Sequence, residues 1–387
     1  MRQEPARHSG PSHIGGRRVT SRKITAAAAT AAGSRRWRGA AGSAPTAATA
    51  DSLGMAILAA CAAWVLITTG VRGGRPDGIL LAVLAVAAGY AGGRIAGALL
   101  PVAAPCAGAL GGIALAAAAP HVTPGPVSSS PLGPVGATAA LLALAAGAAC
   151  CAAWAARGAL RTWLRLLAAG VVVAAALLGS SAGVIASAGI VLCSLATALM
   201  RRRGLVLAGL ALTAAVVAGL AWTVAARVLP EGLATSLEGQ LGPFRVRMWR
   251  DAEALAADHP ALGVGPGRFG ETSPAVTEGL LAGAKPHSAL LQQAAEQGFV
   301  GVALLAAAFG WLLFALWRSP RSTQVVLTAG ATLTALALVA AVGNALSVTS
   351  VTVGAGLLAG ITTARPLEDA QEQVRPGRSR PSGAGRG

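Results

Sequence analysis

Ten apolar runs, each long enough or nearly long enough to cross a bilayer, constrain this chain more than any other feature. A helix of about 20 apolar residues crosses the roughly 30 Å hydrocarbon core of a membrane. Because a spanning segment has to satisfy its own backbone polar groups, an α-helix is the expected form of each run. The predicted spans are 54–70, 78–93, 97–119, 137–156, 166–181, 184–200, 204–226, 298–317, 324–343 and 345–364.

Composition also indicates a membrane protein. Of the 387 residues, 54% are hydrophobic and only 12% are charged, whereas soluble domains carry about 25% charged residues. We therefore expect an all-α, polytopic transmembrane helix bundle of about ten spans, with a long extracytoplasmic loop of short surface helices. All five cysteines lie inside apolar runs, and their spacing matches neither a disulfide framework nor a zinc site.

The net charge of +17 is explained by where the basic residues lie. They fall in the two tails and in short gaps between apolar runs, which is the pattern of positive-inside topology signals. The basic N-terminal tail has one aromatic residue, Trp37, so it offers no stacking platform for single-stranded nucleic acid. Nucleic-acid binding by this tail remains a minor alternative, and no nucleic-acid partner is expected.

Arginines in the short gaps predict the orientation in the membrane. With the N-terminus in the cytoplasm, the arginine-bearing short gaps fall inside, and the short outer gaps carry no Lys or Arg except Arg72 and Arg75. We expect a multi-pass plasma-membrane protein with both termini in the cytoplasm. The arginines placed inside are Arg94, Arg157, Arg161, Arg165, Arg201, Arg202, Arg203, Arg318, Arg321 and those of the C-terminal tail.

This topology divides the chain into five predicted regions. Residues 1–52 form a basic, disordered cytoplasmic tail, and 53–226 hold the first seven spans. Residues 227–297 form an extracytoplasmic catalytic loop, 298–364 hold the last three spans, and 365–387 form a second disordered cytoplasmic tail. The loop is the one long polar gap between spans, since 231–296 hold eight of the fourteen acidic residues.

The loop begins with a predicted surface helix over residues 243–258. Proline suits the first turn of a helix, and an apolar stripe recurs at helical spacing after it. Arg245 and Trp249 are i,i+4 neighbours on one face, and Arg247 with Asp251 predicts a solvated ion pair. His259 precedes a proline, which favours the end of the helix there. The stripe comprises Phe244, Met248, Ala252, Leu255 and Ala256.

A glycine-rich segment and a histidine follow. Residues 262–270, LGVGPGRFG, predict either an ordinary turn or a backbone cradle for an anion, and the spacing does not match a P-loop. His287 opens the next helix after Lys285 and Pro286, and imidazole titrates near neutral pH. Glu296 lies about 180° from His287 around a continuous helix, so a structural role is expected for it.

Together these residues resemble the O-antigen ligase/polymerase family of bacterial membrane glycosyltransferases. The pattern is Arg-x-x-x-Trp, then His-Pro-x-x-Gly-x-Gly-x-Gly-x-Phe, then His-Ser followed by Leu and Glu-x-Gly-x-x-Gly. The matching positions are Arg245, Trp249, His259, Pro260, Gly263, Gly265, Gly267, Phe269, His287, Ser288, Leu291, Glu296, Gly298 and Gly301.

The resemblance implies an activity in polysaccharide biosynthesis at the cell envelope. Glycan on a polyprenyl-pyrophosphate donor would pass to a lipid-anchored or polymer acceptor on the outer face, with inversion and without metal or cofactor. His287 would orient or deprotonate the acceptor hydroxyl, and Arg245 would meet the pyrophosphate, because guanidinium forks bind phosphate oxygens. The further substrate-binding candidates are Arg247, Trp249, Arg250, Arg268 and Lys285.

The chain departs from the family pattern at two positions, and other functions stay open. Ser288 stands where asparagine is common, and Ala182 stands where the family has an arginine, so Arg268 or Arg227 is expected to substitute. A transporter or flippase of lipid-linked or anionic envelope precursors is the alternative, although spans with few ionisable residues favour chemistry in the loop. A scaffold without activity is a third possibility.

Overall fold

A computed structural model of the chain describes residues 44–122, 135–200, 202–228, 232, 239, 242–278 and 286–365. The predicted tails lie mostly outside these residues, and Lys285 lies outside them too. The chain separates into two units, 1–49 and 50–387. The fold below is that of the second unit.

The described residues form thirteen α-helices and no strand. In chain order the helices are α1 Ala44–Arg72, α2 Asp77–Leu99, α3 Ala103–Val122, α4 Val135–Ala155, α5 Ala159–Leu177, α6 Ser181–Ala196, α7 Arg203–Ala225, α8 Pro243–Asp258, α9 Phe269–Thr272, α10 Pro274–Glu278, α11 Ala289–Arg318, α12 Thr323–Val342 and α13 Thr349–Thr363.

Eight helices are long and apolar enough to cross a membrane, namely α1, α2, α4, α5, α6, α7, α11 and α12. Two shorter apolar helices, α3 and α13, correspond to the remaining two predicted spans. The predicted all-α, polytopic bundle is confirmed. The end of the bundle at which α8, α9 and α10 lie is called the site end below.

Helix α4 lies at the centre of the bundle. Every residue from Ala139 to Ala153 is buried, and most of them are alanine, which lets neighbouring helices approach closely. A Cβ on Gly147 would meet Thr332 Oγ1 of α12 at 2.1 Å. Large apolar side chains instead lie exposed on α5 and α6, for example Leu177 and Ile185. This distribution suits a bundle whose outer surface faces lipid.

Helices α2 and α13 pack through glycine. A Cβ on Gly93 would lie 2.3 Å from Leu357 O, and one on Gly360 would lie 2.2 Å from Tyr90 O. Only glycine allows the two backbones to approach this closely. The predicted span 78–93 is too short, because α2 continues along this interface to Leu99.

The span predicted at 166–181 is shifted in the structure, where α5 begins at Ala159. Arg161 and Arg165 belong to its first two turns and lie over the Trp154 ring, at 5.8 and 5.5 Å from its centroid. The break between α5 and α6 lies at 178–180, a few residues before the predicted break at 182–183. Ser180 Oγ accepts a hydrogen bond from Gly183 N at 3.2 Å and caps α6.

Arginines hold helix ends together at the end of the bundle opposite the site. Arg203 Nη2 donates to Leu316 O at 2.6 Å. Arg321 Nε donates to Ala364 O at 2.9 Å and its Nη2 to Gly97 O at 2.7 Å. Cations at the carboxyl ends of helices also offset the helix dipole. These arginines, predicted to be cytoplasmic, thus have structural contacts of their own.

Candidate active site

Helix α8 has the predicted limits, Pro243 to Asp258. Gly242 precedes it with φ 86°, and His259 ends it, as the proline after that histidine predicts. Its apolar face packs on α7 and α11 through the buried side chains of Met248 and others. This packing fixes the orientation of every polar side chain that α8 carries.

Trp249 ties α8 to the segment that carries the histidine. Its indole is 1% exposed, and Nε1 donates to Pro286 O at 2.8 Å. A buried indole N–H needs a hydrogen-bond acceptor, and Pro286 supplies one directly before His287. Trp249 therefore positions the segment and lies beside the site as the resemblance implies.

His287 has a strained backbone. Its φ is 52°, a left-handed conformation that residues other than glycine seldom adopt. Ser288 follows in an extended conformation and caps α11, with its Oγ accepting from Leu291 N at 3.5 Å. The imidazole is half-buried, and Nδ1 has no hydrogen-bond partner. Such strain persists where the surroundings impose it, and it is common at active sites.

Arg245 is buried, whereas the sequence predicts a cation on a surface helix. Only 4% of its surface is exposed. Nη1 donates to Val342 O at 3.5 Å, and Nε is buried without a partner. Within the described part of the chain no carboxylate pairs with this guanidinium. The negative carboxyl end of α12, where Val342 lies, is the compensation for its charge that the contacts provide.

The positive charge of Arg245 acts on His287. Burial lowers the pKa of His287 below its ordinary value of 6.5, and the positive charge of Arg245 lowers it further. Burial also lowers the pKa of Arg245. The structure therefore brings together the two residues predicted to be catalytic. This environment favours a neutral imidazole at His287 near the desolvated guanidinium of Arg245.

The glycine turn, residues 262–270, packs against α11. Val264 N donates to Ala295 O at 2.9 Å, and Gly265 N donates to Glu296 O at 3.0 Å. A Cβ on Gly263 would lie 2.4 Å from the carbonyl carbon of Glu296. These two amides are already bonded to protein, so they are not available to an anion. The turn docks on α11, and an anion cradle formed by its other amides stays a prediction.

Helix α11 is kinked at Gly298, where φ is 68° and ψ is −170°. The kink turns Phe299 N toward Pro260 O, with a hydrogen bond of 2.8 Å. Glu296 just before it is buried, and its Oε1 accepts from Gln292 Nε2 at 3.2 Å. Its contacts fit the structural role predicted for it.

The other predicted cations are dispersed. Arg268 Nη1 donates to Arg72 O at 2.8 Å, and its Nε lies 3.5 Å from Glu271 Oε2, so this guanidinium joins the glycine turn to α1. Arg247 is exposed on α8, and Arg250 is half-buried there. None of these three contacts His287 or Arg245 among the described residues.

The carboxylate of Asp251 binds residues of the loop and does not pair with Arg247. Its Oδ2 accepts from Ser273 Oγ at 2.6 Å and from Ala275 N at 2.9 Å. The ion pair predicted between Asp251 and Arg247 does not form, because the carboxylate caps α10 and holds it to α8.

The expected substitutes for the family arginine at Ala182 lie on different elements. Arg227, directly after α7, is exposed and has φ 56°, and Val228 N donates back to Thr223 O at 3.2 Å. Glycine is usual at such a helix end. Arg268 is engaged as described. Substitution by either one stays a prediction.

A comparison with known families addresses the region that carries these residues. Residues 173–306 match the family model described as O-antigen ligase. The resemblance to the O-antigen ligase family is confirmed. The matched segment contains α8, the glycine turn, His287 and the kink of α11. It supports an O-antigen ligase-like membrane glycosyltransferase. No curated protein matches the chain.

One solved structure resembles the chain weakly. It is a chain from a study of structural coordination of polymerization and crosslinking by a peptidoglycan synthase complex, with 18% identity and a TM-score of 0.38. The similarity covers 80% of this chain and 96% of that one. At that TM-score it supports no argument about this chain.

Several contacts of the O-antigen ligase-like region were not predicted from the sequence. The Val342 carbonyl that faces Arg245 lies 97 positions away in the chain. The contact of the glycine turn with the connection between α1 and α2 is more distant still, since Arg75 N donates to Pro266 O at 2.8 Å. The sequence signal was the pair Arg72 and Arg75, which the positive-inside pattern left unexplained. Within the described residues no cluster of three or more His, Cys, Asp or Glu that could hold a metal occurs.

Proposed function

We propose that this protein transfers a glycan from a polyprenyl-pyrophosphate donor to a lipid-anchored or polymer acceptor. The site end would lie on the outer face of the plasma membrane, with both termini in the cytoplasm. Residues 227–297 would be the catalytic loop between seven spans and three. His287 would act on the acceptor hydroxyl, and Arg245 would bind the donor pyrophosphate.

The observation that carries this proposal is the burial of Arg245 without a carboxylate partner among the described residues. A buried guanidinium without a carboxylate partner is costly, and one long hydrogen bond to Val342 O offsets little of that cost. A pyrophosphate that enters the site would supply the missing anion through charge-assisted hydrogen bonds. The position of this cation beside His287 therefore supports a phosphate-bearing substrate.

The chemistry follows from the two residues. The acceptor hydroxyl oxygen attacks the anomeric carbon, and the bond from that carbon to the pyrophosphate oxygen breaks on the opposite side, so the configuration inverts. A neutral His287 takes the hydroxyl proton as a general base. Arg245 stabilises the charge that develops on the departing pyrophosphate. Arg247, Arg250 and Lys285 would contact the rest of the donor.

The test uses Arg245→Ala and His287→Ala in cells that make the surface glycan. Both variants should accumulate polyprenyl-linked donor on the outer leaflet and lose the surface glycan. Arg202→Ala, which removes an exposed arginine at the opposite end of the bundle, should behave like the wild type. Unchanged surface glycan in both site variants would refute the proposal. Donor retained on the cytoplasmic leaflet would indicate a flippase instead.

A further inference from the structure

The connection between α1 and α2, residues 73–76, is held against the glycine turn. Arg75 N donates to Pro266 O at 2.8 Å. Arg268 Nη1 donates to Arg72 O at 2.8 Å and so caps α1. Through the glycine turn and its bonds to Ala295 and Glu296, this connection belongs to the same end of the bundle as His287.

The connection is also fixed in shape. Gly74 has φ 111°, and a Cβ there would lie 2.3 Å from Pro266 O, so another residue would force the two segments apart. A Cβ on Gly267 would lie 3.6 Å from the Cβ of Arg75. Arg75 is therefore presented from a defined position, and Arg72 is presented from the last turn of α1.

Both guanidinium groups are exposed and without a counter-ion. Arg72 and Arg75 form no ion pair with any residue that the structure describes. Two carboxylates lie on the adjoining segments: Glu271 pairs with Arg268, and Asp77 is exposed in the first turn of α2 without pairing with either arginine. The guanidinium groups of Arg72, at the end of α1, and of Arg75, in the connection, are thus available to bind an anion from outside the protein.

Topology does not account for these arginines. In the predicted orientation they are the cations of the short outer gaps, and they oppose the positive-inside pattern there. The dipole of α1 accounts for one of them at most, because Arg72 lies in its last turn while Arg75 lies beyond it. A binding role accounts for both, since two guanidinium forks a few residues apart match the oxygens of a phosphate group at the membrane surface.

We propose that Arg72 and Arg75 form a second phosphate-binding site, separate from Arg245, which holds the phosphate of a lipid-linked ligand at the site end. The proposal rests on the proposed function only for the identity of that ligand. A phosphate held there would keep the ligand beside the glycine turn, while His287 and Arg245 act elsewhere in the same region.

The experiment measures lipid binding to the full-length protein in nanodiscs of phosphatidylcholine, a zwitterionic lipid without net charge. Three probes are compared: a polyprenyl pyrophosphate, phosphatidylglycerol and the uncharged polyprenol. The R72Q/R75Q variant should bind a phosphate-bearing probe about tenfold more weakly and bind polyprenol as the wild type does. R72K/R75K, which keeps the charge but loses the planar forks, should lie between the two.

The matched control is R157Q/R202Q, which removes two exposed arginines at the opposite end of the bundle and should leave binding unchanged. A loss confined to the pyrophosphate identifies the donor as the source of the phosphate. A loss confined to phosphatidylglycerol identifies membrane lipid, and a loss for both identifies a general phosphate site. Unchanged binding of both phosphate probes, or equal loss with polyprenol, would overturn the inference.

Two further results separate this inference from the proposed function. If His287→Ala abolishes glycan transfer while R72Q/R75Q binds both phosphate probes normally, the second site is wrong and the transferase stands. If R72Q/R75Q weakens phosphate binding while His287→Ala transfers glycan normally, the second site stands and the catalytic role proposed for His287 is wrong. If the R72Q/R75Q variant aggregates, the R75Q variant is measured instead, and each result is interpreted in the same way.

Discussion

At the scale of single residues, Arg245 has the environment of a ligand-binding group rather than of a stabilising one. Moving a cation out of water costs several kcal/mol even after relaxation. Its one hydrogen bond, 3.5 Å long to Val342 O, contributes about 1 kcal/mol at most. Because burying Arg245 costs more free energy than its hydrogen bond returns, this residue has a role other than stabilising the fold.

The substitution Arg245→Gln separates these two roles. It should leave the thermal unfolding midpoint of the detergent-purified protein unchanged or higher, because an uncompensated buried charge is removed. It should lower glycan transfer about 100-fold, because the leaving-group charge loses its stabilisation. Unfolding scans and a transfer assay on the same preparation measure both effects. A large drop in the midpoint would make Arg245 a structural residue.

The pKa of His287 gives a second prediction. Both burial and the charge of Arg245 disfavour the imidazolium ion, so the base is neutral over a wider pH range. The acid limb of the pH–rate profile should therefore lie below pH 6.5. In Arg245→Gln the limb should move upward toward that value, because the repelling charge is gone. Carbethoxylation of His287 as a function of pH reports the same shift if the variant is inactive, and equal titration in both proteins would contradict it.

The sequence identified these residues but not their surroundings. The motif order placed Arg245, Trp249 and His287 in one site, and the hydrogen bond from Trp249 to Pro286 O and the effect of the Arg245 charge on His287 agree with that. Burial of Arg245 could not be predicted, since it depends on α12, whose end reaches the site from 97 positions away. A long-range contact of this kind leaves no local pattern in the chain.

At the scale of elements, the glycines of the motif act in helix and loop packing. Gly263 and Gly298 bring the glycine turn against the kink of α11, with backbone hydrogen bonds at Val264, Gly265 and Phe299. The kink ends the helix that His287 opens and turns the chain into the span. The function of these glycines is thus to hold the loop on the bundle.

The substitution Gly298→Ala tests this packing. The residue has φ 68°, and its Cβ would lie 2.4 Å from Ala261 O, so both backbone strain and a clash oppose the change. It should lower the free energy of unfolding by about 2 kcal/mol or more and reduce transfer, as measured by denaturation and activity in one detergent. Gly310→Ala in the same helix, where a Cβ meets nothing within 4 Å, is the control and should be neutral or slightly stabilising.

Local chemistry predicted the limits of α8 but not those of α5. Proline at the start of α8 and the residue before Pro260 at its end are strong signals that need no tertiary contact. The first turns of α5 contain Arg161 and Arg165, which lie over the ring of Trp154. That arrangement involves the preceding helix, so a hydropathy pattern alone places the span too late.

At the scale of the whole molecule, the two ends of the bundle use their arginines differently. At one end Arg203 and Arg321 bind helix carbonyls, and they hold the spans together. At the site end Arg72 and Arg75 are exposed and form no ion pair with any described residue, and Arg245 makes one long hydrogen bond to Val342 O. Cations held in this way agree with an anionic substrate at the site end. The helical nature of the spans followed from apolar runs, whereas the contacts of these arginines required the assembled fold.

The most direct measurement is glycan transfer by the purified protein in liposomes that contain a polyprenyl-pyrophosphate-linked glycan and an acceptor, with a chelator present. We expect the wild-type protein to transfer the glycan to the acceptor and to release polyprenyl pyrophosphate. His287→Ala should abolish both, and Arg202→Gln should abolish neither. Transfer that continues in His287→Ala, or stops in the wild type when divalent metal is chelated, would contradict it.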